Sequence, residues 1–440
     1  MASHRFITTA TKVSKLLKEG NVFSEFTLLA NEYNAMNLGQ GFPSFGSPSF
    51  LFDPTIASGD IYNSQGKPKD LNNQYSKPGE EMELAQTLSD KYSKQMNYEI
   101  TPSNICTSCG AQEALFTTLA TFCNPNDEVV MITPAFDSYF KSASVLDLNV
   151  KTVSLDTMEN NNNEKDLKAN DYYLDVNKLE KAINNNTKLI LLNTPSSPLG
   201  KVFNKKELED ISDVILNHDN QDVVVISDEV YEHMIYDNEE HFHIANVPGM
   251  FDKVVSIFSV GKTFSCTGWR IGYSVGPEDL INPIKALHAA INFSTSTPLQ
   301  KSAARAFQYA ENENYFNWLP NMLQEKRDLF CNGLKDTGIE FIKPSGGYFV
   351  VAKIDEKHFE MAGIDANKEI NPNALLNERP DVQFTRWLTT EVGVSPIPMS
   401  PFYTPENRYL ANNYIRFAYC KDDETLKESI DRLQKSFITH

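Results

Sequence analysis

Val223-Val-Val-Ile-Ser-Asp228-Glu-Val-Tyr231, followed by Val254-Val-Ser-Ile-Phe-Ser259-Val-Gly-Lys262-Thr-Phe-Ser-Cys-Thr-Gly-Trp-Arg270, decides the fold. Each stretch opens on β-branched and apolar residues without alternation, the pattern of a strand buried on both faces, and ends on small and charged residues. The pattern recurs nearby. Val129 to Ile132, Val150 to Leu155, Leu189 to Leu192 and Ile271 to Val275 read as strands, while Gln112–Phe122 and Lys205–Leu216 space their apolar residues as helices do. This alternation, from about Thr101 to Pro277, predicts a doubly wound α/β domain with a mostly parallel central sheet. Such sheets bind ligands beyond the carboxyl ends of their strands, where Asp228 and Lys262 stand.

The 440 residues carry 40 Lys and Arg against 58 Asp and Glu, a net charge of −18 with no basic stripe, which argues against a nucleic-acid partner. No apolar run approaches the ~18 residues of a membrane span, so no membrane partner is expected. Six cysteines are few for this length and suit reduced intracellular thiols. Cys106-Thr-Ser-Cys109 has metal-knuckle spacing but lacks a second ligand pair, and His241-Phe-His243, beside Asp237, Glu239 and Glu240, reads as a solvated loop; no metal is expected. Asn160 to Asn163 and Asn184 to Asn186 read as polar loops. After about Tyr309, long helices, a strand over Gly347 to Ala352, a final strand over Tyr414 to Tyr419 and a helix from Asp423 suggest a smaller α+β domain. The expected division is an N-terminal arm over 1–22, a large domain over 59–308, and a small domain from 23–58 with 309–440. The arm carries Arg5, Lys12, Lys15 and Lys18 and no acid before Glu19. It suits either a mitochondrial transit peptide or the leading segment of a cytoplasmic enzyme, the compartment expected here.

Taken singly, Asp228 reads as a helix cap and Lys262 as a loop lysine. Together, a strand-end carboxylate facing a strand-end amine flanked by Ser259 and Arg270 is what pyridoxal phosphate requires. The amine forms a Schiff base, and the carboxylate keeps the ring nitrogen protonated as an electron sink. Ser108-Cys-Gly110-Ala111-Gln112 opens a helix, and small residues at a helix N-terminus offer N–H groups to a phosphate. Ser259 and Arg270 add a hydroxyl and a fixed charge.

Ser259-x-x-Lys262-x7-Arg270, Ser227-Asp-Glu-Val-Tyr231, Asn193-Thr-Pro-x-x-Pro198-Leu-Gly200 and Ile415-Arg416-Phe417 resemble the class I pyridoxal-phosphate aminotransferases of fold type I. Leu38-Gly-Gln-Gly-Phe-Pro43, Asn73-Gln-Tyr75 and Pro398-x-Ser400-x-Phe402-Tyr403 narrow the resemblance to the kynurenine aminotransferase branch, also called cysteine-S-conjugate β-lyase or glutamine transaminase K. The resemblance spans roughly 22 to 435. It implies Lys262 as the Schiff-base lysine and proton carrier, Asp228 on the ring nitrogen, Tyr231 on the phenolic oxygen and Phe136 on the ring face. It further implies Gly110, Ala111, Gln112, Ser259 and Arg270 at the phosphate, with Tyr75 reaching in from the partner of a homodimer. Arg416 would clamp the substrate α-carboxylate, as a bidentate guanidinium suits, with Gly41 allowing close backbone approach. The substrates implied are an aromatic or sulfur-containing amino acid and a 2-oxo acid, with β-lyase side activity.

Two departures stand out. Ser197 replaces the family's usual Asn, and its single donor predicts weaker hold on cofactor and substrate. Phe23 replaces a common Trp in the pocket wall. Two alternatives are weighed against catalysis of this kind: a cofactor-binding protein weakened by Ser197, and a serine hydrolase with an S-x-x-K motif. The second needs S-D-N and K-T-G elements, where this chain has Ser227-Asp-Glu and Lys262-Thr-Phe.

Overall fold

The unbroken apolar runs become the inner strands of a seven-stranded sheet in the computed structural model, which describes residues 12, 21–52, 74–157, 167–365 and 375–438. The strands are β1 (Ile105–Ser108), β2 (Glu128–Thr133), β3 (Asn149–Ser154), β4 (Thr187–Asn193), β5 (Val224–Asp228), β6 (Val254–Ser259) and β7 (Gly272–Val275). Their order is β1-β7-β6-β5-β4-β2-β3. β2 through β6 pair in parallel, and β7 alone runs against both its neighbours. Every residue of β2 and β5 is buried, as strands covered on both faces must be. The parallel strands therefore point their carboxyl ends to one edge.

A second sheet, β8 (Glu340–Ile342), β9 (Phe349–Lys353), β10 (Ile397–Pro398) and β11 (Tyr414–Ala418), is antiparallel in the order β8-β9-β11-β10. The N-terminal segment joins this C-terminal part of the chain. Met36–Asn37 pairs in parallel with Val394–Ser395. Helix α1 (Val22–Glu32) buries Val22 and Phe26, which belong to the apolar cluster of Val382, Ile397 and Phe402.

One expectation is corrected. The loop of His241 and His243 is not solvated. His241 Nε2 lies 2.6 Å from the Glu229 carboxylate, His243 Nδ1 meets the same oxygen, and Ser256 donates to the other at 2.9 Å. Glu229 is fully buried and held down to about 2, because the two histidines and their hydrogen bonds outweigh the burial that would raise it. The polar neighbours in sequence face water; the histidines turn inward to a carboxylate supplied by the end of β5. Their three ligand atoms lie within 4.8 Å of one another, and hydrogen bonding accounts for that closeness. Cys106 is buried and Cys109 exposed, both free, with burial pushing the Cys106 thiol up to about 12 and away from thiolate chemistry. Asn160 to Asn163, Asn73, and most of the 1–22 arm lie outside the described residues. No described helix is long and apolar enough to cross a membrane.

Candidate active site

The carboxyl edge of the large sheet opens into a cavity of about 570 Å³. β5 delivers Asp228 and, beyond its turn, Tyr231; β6 delivers Ser259 and Lys262; β4 delivers Asn193 and Ser197. Phe136 and Tyr139 enter from helix α3 (Asp137–Val145) and its cap, and Ala111 and Gln112 from the start of helix α2 (Ala111–Phe122). The second sheet closes the far side with Phe349 and Arg416, and the N-terminal segment adds Phe23 and Gly41. Of the residues expected from sequence to share a site, all but Gly110 and Tyr75 line this one space.

Asp228 is buried at the strand end and accepts a 2.5 Å hydrogen bond from the Tyr139 hydroxyl. Burial raises its carboxyl to about 6, against that hydrogen bond and the amide of Val230, both of which favour the anion. A cation placed opposite it would restore the charged form. Lys262 sits on a single helical turn, Val260–Thr263, capped by Ser259, whose hydroxyl accepts the Lys262 N–H at 3.4 Å. Its amine donates to the Gly41 carbonyl at 2.9 Å and meets the Tyr348 hydroxyl at 2.5 Å. Burial pushes that amine down to about 8, so a usable neutral fraction exists near physiological pH. Ser259 is engaged with a backbone amide and Lys262 with Gly41 and Tyr348, which is not the geometry of a serine nucleophile and its lysine base.

Arg416 is buried, with one hydrogen bond, to the Gly39 carbonyl at 3.0 Å. Its guanidinium lies 3.8 Å from the Phe349 ring, 4.8 Å from Phe402 and 5.7 Å from Phe23. Its Nε has no partner, and among the described residues no carboxylate lies within ion-pair distance. Burial lowers it to about 10. A desolvated, unpaired guanidinium is expensive unless an anion arrives to satisfy it. Gly41 is required on steric grounds, since a Cβ there would sit 2.4 Å from the Phe349 ring.

The phosphate cradle is equally specific. Gly110 caps α2 with φ +79°, and a Cβ on it would lie 2.4 Å from Arg270 Nη2. Arg270 itself adopts a left-handed backbone, φ +55°, and steadies its guanidinium on the Thr267 carbonyl at 3.0 Å. Gly272 opposes Ser108 in the sheet, where a Cβ would strike the Ala111 amide nitrogen at 2.4 Å. A helix N-terminus, a guanidinium and a serine hydroxyl are therefore drawn together by glycine-only packing, the donor set a phosphate takes. With Asp228 and Lys262 beside it, the site fits pyridoxal phosphate.

The profile of the aminotransferase class I and II family matches residues 33–433. The chain belongs to this family. It is 37% identical to a kynurenine–oxoglutarate transaminase of Dictyostelium discoideum over 98% of both chains, and 34% identical to kynurenine–oxoglutarate transaminase 3 of Homo sapiens over 95% of this chain and 88% of that one. Among solved structures, Bna3p of Saccharomyces cerevisiae superposes with a TM-score of 0.87 at 29% identity, covering 98% and 99% of the two chains. The fold is accordingly the fold type I aminotransferase fold, and the chain is an aminotransferase.

Not every site residue was evident in the sequence. Tyr348 bridges Lys262 and the Gly41 carbonyl, which it reaches at 2.7 Å, and Tyr139 supports Asp228. Tyr139 had a local signal, standing three residues after Phe136, whereas Tyr348 was only an aromatic in an expected strand. Gln112 lines the cavity but turns its amide to Ser142 at 3.2 Å. Ser197 lines it too, its N–H held by the Asn193 side chain at 2.6 Å. Tyr75 lies outside this cavity, 81% exposed and edge-on to Phe293 at 4.9 Å.

Proposed function

We propose that the chain is a pyridoxal-phosphate-dependent aminotransferase that takes the amino group of an aromatic or sulfur-containing L-amino acid, kynurenine among them, and passes it to a 2-oxo acid. The observation that carries this is Arg416: a buried, unpaired guanidinium among phenylalanines, across one cavity from Lys262 and Asp228. The rings of Phe23, Phe136 and Phe349 favour an aromatic or thioether side chain. The kynurenine transaminases to which the chain is similar support the same substrate class.

In this proposal Arg416 and the Gly41 backbone bind the α-carboxylate and fix the Cα–H bond relative to Lys262. The Lys262 amine removes the Cα proton and returns it on the cofactor side, acting as base and then acid with a pKa already near the working pH. The bound pyridoxal phosphate supplies the carbonyl chemistry and the electron sink. Asp228, held by Tyr139, would favour a positive charge on the ring nitrogen, Tyr231 and Ser197 would supply hydrogen bonds to the phenolic oxygen, and Phe136 would offer its ring to the cofactor's. Where a good leaving group sits on Cβ, the electron pair freed at Cα expels it, which gives the β-lyase side activity. Tyr75, exposed here, serves the cavity of a second copy, so the working unit is a homodimer. The large unit over 59–308 carries the cofactor, and 23–58 with 309–440 forms the small one.

The test begins with the purified protein, which should be yellow, bleach on borohydride reduction, and lose that response in Lys262→Ala. L-kynurenine, L-phenylalanine, L-glutamine and a cysteine conjugate are then compared as donors against one oxo acid. A colourless protein that pyridoxal phosphate cannot reconstitute refutes the cofactor. A preference for small aliphatic donors refutes the substrate class.

A further inference from the structure

The cavity is lined by four cations, Lys141, Lys262, Arg270 and Arg416, and two carboxylates, Asp137 and Asp228. The roles above account for every one except Lys141 and Asp137, which pair with each other one turn apart on α3. Asp137 is almost fully buried and Lys141 half-buried, its side chain 34% exposed. Asp137 in the first turn of α3 suits the helix dipole and the pair spans i to i+4, but neither effect requires the pair to face a cavity. Its position is more informative. Lys141 and Asp137 also line a second cavity of about 410 Å³, so the pair stands at the boundary of the two. The Phe23 ring links this pair to the carboxylate clamp: the Lys141 amine is 6.0 Å from its centroid and the Arg416 guanidinium 5.7 Å.

An aminotransferase must accept two substrates in turn at one site. An aromatic side chain is served by the phenylalanines. A dicarboxylic oxo acid brings a second anion that they cannot satisfy, and a buried anion without a cation is strongly disfavoured. We propose that Lys141 is the subsite for the distal carboxylate of a dicarboxylic substrate such as 2-oxoglutarate, with Asp137 holding the amine in place when the bound side chain is uncharged. This inference rests on the aminotransferase site assigned above. A diacid with its α-carboxylate on Arg416 extends along Phe23 to the Lys141 amine. Asp137 repels the arriving carboxylate and so limits how tightly the diacid binds. An uncharged side chain leaves the ion pair intact, and the cavity presents it a neutral wall.

The test uses the holoenzyme with L-phenylalanine as donor and compares kcat/KM for 2-oxoglutarate with that for 2-oxobutyrate, which lacks the distal carboxylate. Lys141→Met should lower the ratio of the two about tenfold or more, the worth of one charge-assisted hydrogen bond, chiefly through KM for the diacid. Lys141→Arg should keep most of the ratio, and Asp137→Asn should raise it. A ratio unchanged within about twofold in Lys141→Met overturns the proposal. If Lys141→Met does not fold, Asp137→Asn and wild-type protection decide. Glutarate should raise the melting temperature of the wild-type protein more than butyrate does, and more again in Asp137→Asn; equal effects of the two acids overturn the subsite. If wild type transfers no amino group to either acceptor yet glutarate still binds preferentially, the catalytic assignment fails and the anion subsite stands.

Discussion

Replacing Tyr139 by phenylalanine removes one oxygen and the 2.5 Å hydrogen bond it gives to Asp228. The ring stays, so packing against Phe136 (centroids 5.7 Å apart) is retained and the change is electrostatic. A hydrogen bond to a buried charged group contributes about 1.5–3 kcal/mol, and each pKa unit corresponds to about 1.4 kcal/mol. Losing it therefore moves the Asp228 carboxyl up by about one to two units. It already stands at about 6 because of burial. At pH 7 the ionised fraction would fall from about nine-tenths to between about half and one-tenth. In the holoenzyme the ring cation opposite lowers the value in both proteins, so the displacement between them is the quantity to read. The acid limb of kcat/KM against pH should shift upward by about one to two units in Tyr139→Phe, with activity recovered at higher pH. The cofactor-free protein offers a second readout. Between the unfolded value of 3.8 and about 6, folded Asp228 holds a proton that the unfolded chain has released, so stability falls as pH rises through that window. In the variant this fall should continue to about pH 7–8. Superimposable pH–rate profiles would refute the idea that Tyr139 sets the charge of Asp228.

Three further outcomes are expected. Reconstitution of the cofactor-free protein with pyridoxal phosphate should speed up as pH rises and level off above about 8, the value to which burial lowers the Lys262 amine; stopped-flow absorbance measures it, and a plateau only above pH 10 contradicts it. Ser197→Asn should lower the pH at which the bound cofactor's visible absorbance titrates and lower KM for the donor, since an amide supplies two donors where the hydroxyl supplies one; an unmoved titration rules this out. Gly110→Ala should weaken pyridoxal phosphate far more than pyridoxal, because its Cβ displaces the Arg270 guanidinium and strains a backbone at φ +79°; equal losses for the two aldehydes, in an equilibrium titration, would place the defect elsewhere.

The large sheet and the heart of the site were legible in sequence because their signals are local. A strand buried on both faces announces itself as an apolar run, and Asp228 and Lys262 follow such runs directly. Gly110 and Arg270 were legible as the ingredients of an anion site, although the reason for glycine, contact with that arginine, appears only in three dimensions. What sequence hid is what a distant segment supplies. Tyr348 reaches Lys262 across 86 positions, and Glu229 turns His241 and His243 inward although the four residues before them are acidic or polar. Lys141 carries no signal in the sequence, because its place in the cavity wall is set by the fold and not by its neighbours in the chain.

Strand β7 has a consequence for which aldehydes the protein can hold. In running back between β1 and β6 it sets Gly272 directly opposite Ser259, so the loop bearing both Lys262 and Arg270 is pinned at its two ends by a single rung of the sheet. The spacing of the two backbone anchors, though not the reach of the side chains, is thereby fixed by the sheet. An aldehyde that had to meet the amine and the guanidinium at once would be read against that spacing by its length as well as by its charge.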